Sequence, residues 1–193
     1  MLDNSVAKMG GHRDKSTTVL PMLARWNELD AEAATREVLP CCGSRGWAEG
    51  LTAKRPFAQA HELFAASDAV WAGLTEDDWR EAFDSHPRIG QSHARAATAE
   101  SLAWSAQEQG AAVTQEGTPS EAAKLALAAA NRQYEERFGR IFIVCASGKS
   151  SAEILAILQR RMSNTAAAEM MEAAEQQRQI TQRRLRRWLG VDS

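Results

Sequence analysis

The sequence predicts an all-α single domain of about eight helices, and three observations carry that expectation. Apolar residues recur at helical spacing along most of the chain, as in Trp79, Ala82 and Phe83 at i, i+3 and i+4. Prolines and glycines punctuate the periodic stretches at short intervals. Only Ile141 to Cys145 reads as a β-branched run. A lone strand of that length has no partner, so the run is expected to be a buried extended connector. The 193 residues are enough for one domain with a real core, and 44% hydrophobic with 25% charged residues is an ordinary globular balance.

Taken in order, Met1 to Thr18 is polar and carries Asp3, Lys8, Arg13, Asp14 and Lys15. It lacks the apolar stretch of a secretory signal, so residues 1–21 read as a flexible extension ahead of a helical domain over 22–190 and a tail over 191–193. Asp30 is placed to cap a helix running to about Leu39, which Pro40 ends. Gly43 and Ser44 open a short helix through Trp47 and Leu51. Pro56 separates it from the next, expected to carry Phe57, Ala60, Phe64, Val70 and Trp71. Thr75 with Asp78 resembles a capping box ahead of Trp79 and Phe83. Helix resumes over about Ala94 to Ala112. Thr118, Pro119 and Glu121 form a strong start signal for an Ala-rich helix with Leu127, Ala130, Tyr134 and Phe138 on one stripe, closed by Gly139. Ser150 and Glu153 form another capping box, followed by Ile154, Leu155, Ile157, Leu158 and Met162. Asn164 is the expected cap of a long last helix ending near Leu189 and Gly190, with Ile180, Leu185, Trp188 and Leu189 on its apolar side.

Bulk properties narrow the function. A net charge of −2 is not that of a nucleic-acid binder. No run approaches the length of a membrane span. The cysteines Cys41, Cys42 and Cys145 make no C-x-x-C pair and read as free thiols of a reducing cytoplasm. Val191-Asp192-Ser193 is not the peroxisomal Ser-Lys-Leu address.

Three positions stand out for chemistry. His86 follows a helix end and precedes Pro87, so the chain turns extended there and can present an imidazole from a stiff corner. Capping of the preceding helix would use the same residue differently. Ser105, Glu108 and Gln109 lie at i, i+3 and i+4 and share a helical face. Their hydroxyl, carboxylate and amide suit a polar heterocycle, although a solvated face has the same pattern. Arg161 falls within the apolar stripe of Ile154, Ile157 and Leu158. It must either snorkel or reach an anion, which could be a protein carboxylate or a ligand.

Other patterns carry less. Gly148-Lys149-Ser150 resembles the end of a P-loop, but Ile143 stands where the first glycine belongs. His86 and His93 lack zincin spacing, so no metal is expected. The arginines at 178, 183, 184, 186 and 187 read as a solvated helix face or a subunit contact.

Taken together, these segments are similar to those of the OHCU decarboxylase family (2-oxo-4-hydroxy-4-carboxy-5-ureidoimidazoline decarboxylase). The resemblance spans about Leu23 to Leu189. It rests on Cys42-Gly43-Ser44 with Trp47, Arg55-Pro56-Phe57, His86-Pro87-Arg88-Ile89-Gly90, Ser105 with Glu108-Gln109, Phe138-Gly139 with Phe142-Ile143-Val144-Cys145, and Arg161-Met162-Ser163-Asn164, in that order. It implies an all-α fold, usually a homodimer, with no metal or organic cofactor. The implied reaction converts OHCU to (S)-allantoin and carbon dioxide in urate breakdown. His86 and Glu108 are then the catalytic residues. Pro87, Ser105, Gln109 and the Phe142, Ile143, Val144, Cys145 and Ala146 segment line the ligand. Arg161 is carried over too, although Met162 stands where the family has leucine. The competing expectation from another class is a non-enzymatic helical binding or regulatory module that uses the arginine-rich last helix; a metal-dependent amidohydrolase would want a histidine cluster that the chain does not offer.

Overall fold

The computed structural model describes residues 20–89, 98–114 and 121–191, apart from the side chains of 100, 108–114 and 121. The described residues form nine α-helices and no strand. These are α1 (Pro21–Glu28), α2 (Ala31–Val38), α3 (Arg45–Thr52), α4 (Ala60–Ala72), α5 (Glu76–Asp84), α6 (Ala99–Thr114), α7 (Glu121–Phe138), α8 (Ser151–Arg161) and α9 (Ala166–Leu189), with a 3-10 turn at Leu39–Cys41 between α2 and α3. The first helix begins at Pro21 and buries Leu23 and Trp26. It therefore takes in the last residue of the expected N-terminal extension.

Local chemistry explains most boundaries. Asp30 accepts from the Ala33 N–H at 2.8 Å and starts α2. The helix does not stop dead at Pro40 but tightens into the 3-10 turn, in which proline at an early position costs no hydrogen bond. Both members of the Thr75/Asp78 and Ser150/Glu153 capping boxes are formed. Phe57 sits ahead of α4 rather than in it, because Gln59 and Glu62 make a capping box that starts the helix at Ala60. The cap of α9 is Thr165, which accepts from the Ala168 N–H at 3.2 Å. Asn164 instead donates to Glu169 Oε2 at 2.7 Å. Gly139 and Gly190 close α7 and α9 at positive φ. The start signal at Thr118 and Pro119 and the segment at 94–97 lie outside the described residues.

Two apolar clusters make the core. One gathers Leu23, Trp26, Trp47, Leu51, Leu63, Phe83 and Leu185, from α1 and α3–α5 packed on α9. The other gathers Leu127, Tyr134, Phe138, Ile154 and Leu158, where α7 lies on α8. The buried connector at 142–146 runs between them. Its side chains alternate as extended backbone requires, with Ile143 and Cys145 in the first cluster and Phe142, Val144 and Ala146 in the second. The 24 residues of α9, about 36 Å long, form the spine against which α1, α4, α5 and the 3-10 turn lie.

The Arg55-Pro56-Phe57 turn is structural. Arg55 donates to Thr52 O at 3.1 Å, to Leu29 O at 2.9 Å and to Trp26 O, and its guanidinium lies 5.1 Å from the Trp26 ring centre. A cation on the last carbonyls of α1 also favours the helix dipole. Arg55→Ala is therefore expected to cost about 2–3 kcal/mol. Urea denaturation would register this as a lower midpoint at unchanged slope.

Candidate active site at the seam of the two cores

The site is built where α5 ends. Ser85 Oγ donates to Ala82 O at 2.7 Å and the His86 N–H to Phe83 O at 3.0 Å, which closes the helix and fixes the corner before Pro87. Phe83 belongs to the first cluster, while Ile89 packs on the second. Arg88 donates to Glu135 Oε2 at 2.7 Å and moors the segment to α7. His86 thus sits between the two cores, and it is 8% exposed.

Gly43 makes that corner possible. Its φ is +90°, and a Cβ added there would come within 2.1 Å of Ser85 Oγ. Only glycine allows both the backbone conformation and this approach. The next residue, Ser44, caps α3 by accepting from the Trp47 N–H at 3.2 Å.

Arg184 on α9 is the other centre of the site. It is fully buried and donates to Pro40 O at 3.3 Å, Ser101 Oγ at 3.1 Å and Ser105 Oγ at 2.9 Å. Its guanidinium lies 5.9 Å from the Trp104 ring centre. The expectation of a solvated arginine face is corrected here. Helical register carries Gln177, Thr181 and Arg184 inward with Ala173, Ile180 and Leu185, while Arg183 and Arg186 point out. The inward stripe was visible in the spacing, as it was for Arg161, but the surrounding run of arginines masked it.

Burial and the nearby Arg184 charge lower the His86 pKa to about 3, against a weak opposing pull from Gln177. The ring is therefore neutral at physiological pH, a base rather than a cation. Cys42 is pushed up to about 12, first by burial, so it stays a thiol. Thr181 and Arg184 only partly offset that burial.

Pro87 and Ser105 are buried with His86 and Arg184 respectively. Ser101 and Ser105 share one face of α6, and position 108 follows one turn beyond Ser105 on that face. The side chains of Glu108 and Gln109 lie outside the described residues. Phe142, Ile143, Val144, Cys145 and Ala146 are all buried, and the Cys145 N–H donates to Gln176 Oε1 at 2.9 Å, which ties the segment to α9 next to Gln177.

Arg161 finds its anion inside the protein. It donates from Nε to Glu169 Oε1 at 2.9 Å and from Nη1 to Ile143 O at 2.8 Å, and stacks 4.7 Å from the Phe142 ring centre. Fully buried Glu169 also accepts from Tyr134 and Asn164. Burial and this carboxylate push the Tyr134 hydroxyl far above its usual range. The network holds the 142–146 segment in place from behind. The P-loop-like Gly148-Lys149-Ser150 is a turn: Lys149 Nζ reaches Cys145 O at 2.7 Å and Ser150 caps α8.

With this geometry in hand, the model of the OHCU decarboxylase family matches residues 27–186. The chain belongs to that family. It is 34% identical over 145 residues to the uric acid degradation bifunctional protein TTL of Arabidopsis thaliana, covering 75% of this chain and 44% of that protein. The chain thus spans less than half of that relative. It is also 34% identical over 133 residues to a 2-oxo-4-hydroxy-4-carboxy-5-ureidoimidazoline decarboxylase of Amia calva, covering 68% of this chain and 73% of that one. A crystal structure of an OHCU decarboxylase in the presence of (S)-allantoin superposes with a TM-score of 0.68 at 32% identity, over 80% of this chain and 97% of that one. A crystal structure of (S)-allantoin synthase, at 18% identity and a TM-score of 0.63 over 86% of this chain and 53% of that one, shares the fold. The family model spans both His86 on its corner and buried Arg184.

Proposed function

We propose that the chain decarboxylates OHCU to (S)-allantoin, at a site formed by His86, Arg184, Ser105 and Glu108. The observation that carries this reading is a neutral, buried imidazole beside a buried guanidinium that is itself held by Ser105. A neutral base and a fixed cation are what an anionic hydroxy acid needs.

Arg184 receives the substrate carboxylate and offsets the cost of bringing an anion into a buried site. Loss of carbon dioxide from C4 leaves an electron pair there. The adjacent ring C=N takes it, and its nitrogen picks up a proton from solvent, giving a C4=C5 enol with no added electron sink. His86 takes the C4 hydroxyl proton as that carbon becomes a carbonyl, and returns a proton to the ureido-bearing carbon. Delivery from one face gives one enantiomer. Glu108 orients the ureido N–H groups, Ser105 and Gln109 hold the ring, and Pro87 with the 142–146 backbone forms the wall. Arg161 supports that wall through Ile143 O. No organic cofactor or metal enters this scheme. We place the protein in the cytoplasm as a homodimer, which sedimentation at two concentrations would check.

The reading is tested with OHCU generated in situ from hydroxyisourate. Carbon dioxide should be released faster than in the spontaneous reaction, in proportion to protein concentration. Release at the spontaneous rate would reject it.

Among the described residues, no helix is long and apolar enough to cross a membrane.

A further inference from the structure

The His86 ring has two nitrogens, and only one can serve the substrate. Nε2 is buried, with no surface for water or ligand and no completed hydrogen bond. The Oε1 atom of Gln177 is in the same state. Gln177 itself is fully buried on α9. Its amide nitrogen is already committed, donating to Cys42 O at 3.2 Å and to Thr181 Oγ1 at 3.3 Å. This fixes which end of the amide is which, so Oε1 is presented as an acceptor. The Gln177 side chain also lies within reach of the His86 ring.

Two buried polar atoms left side by side without a partner are costly. One proton resolves both: Nε2–H donating to Gln177 Oε1. We propose that Gln177 is a positioning residue that selects the Nε2–H tautomer of His86 and so leaves Nδ1 as the bare lone pair for substrate. The amide is the right group for this. A carboxylate would draw a second proton onto the ring and spoil the base, while an apolar side chain would leave the tautomer unset. The Gln177 amide is set in turn by the Cys42 carbonyl, next to Gly43, so the family-like Cys42-Gly43-Ser44 segment acts on the histidine through Gln177. The inference rests on the decarboxylase reading for its consequence, but not for its structural content.

The test uses the full chain labelled with ¹⁵N-histidine and needs no substrate for its first readout. The chain has four histidines, and the His86 signals are those lost in His86→Gln. At pH 7 the wild type should show a neutral His86 protonated on Nε2. Gln177→Met keeps the volume but removes the acceptor, and should yield a mixture or the Nδ1–H form. Thr181→Val removes a contact of the Gln177 amide without touching the ring, and should leave the tautomer unchanged. With OHCU, Gln177→Met should lower kcat about tenfold or more with KM little altered, since the lost function is proton transfer and not binding. A wild-type His86 protonated on Nδ1, an unchanged tautomer in Gln177→Met, or the same change in Thr181→Val would each overturn the proposal. A wild type with the expected tautomer but no catalysed turnover would instead reject the decarboxylase reading and leave the role of Gln177 standing.

Discussion

Arg184→Met lowers kcat/KM for OHCU by about ten- to a hundredfold, chiefly through KM, in a protein that remains folded. Each charge-assisted hydrogen bond to a carboxylate is worth about 1.5–3 kcal/mol, and tenfold in affinity corresponds to about 1.4 kcal/mol. Losing one such contact therefore costs about ten- to a hundredfold. Methionine preserves most of the apolar stem that passes between α9 and the 3-10 turn, so the variant separates the charge from the packing. Alanine would mix the two, because a fully buried arginine leaves a cavity. Steady-state kinetics with a thermal melt on the same sample decides the matter. A methionine variant with native KM would remove Arg184 from substrate binding.

His86→Gln is the second large effect. Turnover should fall about 10²–10⁴-fold, the usual worth of a positioned acid–base group. The same substitution should alter acid stability in the opposite sense. His86 in the folded protein titrates near 3, against 6.5 as the ordinary value. Between those values the unfolded chain binds the proton and the folded one does not, so stability falls as the pH is lowered from 6.5 toward 3, by up to about 1.4 kcal/mol per pH unit. Above 6.5 the group contributes its full stabilising share, and below 3 the loss is complete. His86→Gln removes that slope. Urea midpoints from pH 7 to pH 4 should drop less steeply in the variant than in the wild type. Equal slopes would mean that the imidazole is not held neutral by burial beside Arg184.

The helices were legible because their signals are local. Capping boxes at Thr75 and Ser150, an Asp30 cap and the closing Gly139 and Gly190 need nothing beyond four or five neighbouring residues. Where the expectation slipped, a neighbouring residue competed for the same role. Thr165 took the α9 cap because the Asn164 amide is drawn to buried Glu169. Gln59 with Glu62 set the start of α4 and excluded Phe57. The site was legible only in part. The corner at His86 could be read from the proline that follows it. Arg161 stands out in the sequence as an arginine inside an apolar stripe, but spacing cannot tell a protein carboxylate from a ligand, and Glu169 lies on a different helix. Arg184 satisfies the same stripe criterion and was lost among four exposed-looking arginines. Gln177 carries no charge to draw attention, and its meaning appears only when α9 is laid against the 3-10 turn and the end of α5. Long-range placement, not residue chemistry, was the missing information.

The account turns on one-sided proton delivery to a planar intermediate within this site. The measurement that addresses it most directly is the circular dichroism of allantoin formed from OHCU at neutral pH, with the wild type and His86→Gln side by side. Wild type should give a growing signal of the (S) enantiomer, and the variant a racemic product like that of the buffer. A racemic product from the wild type, or an undiminished (S) excess from His86→Gln, would contradict it.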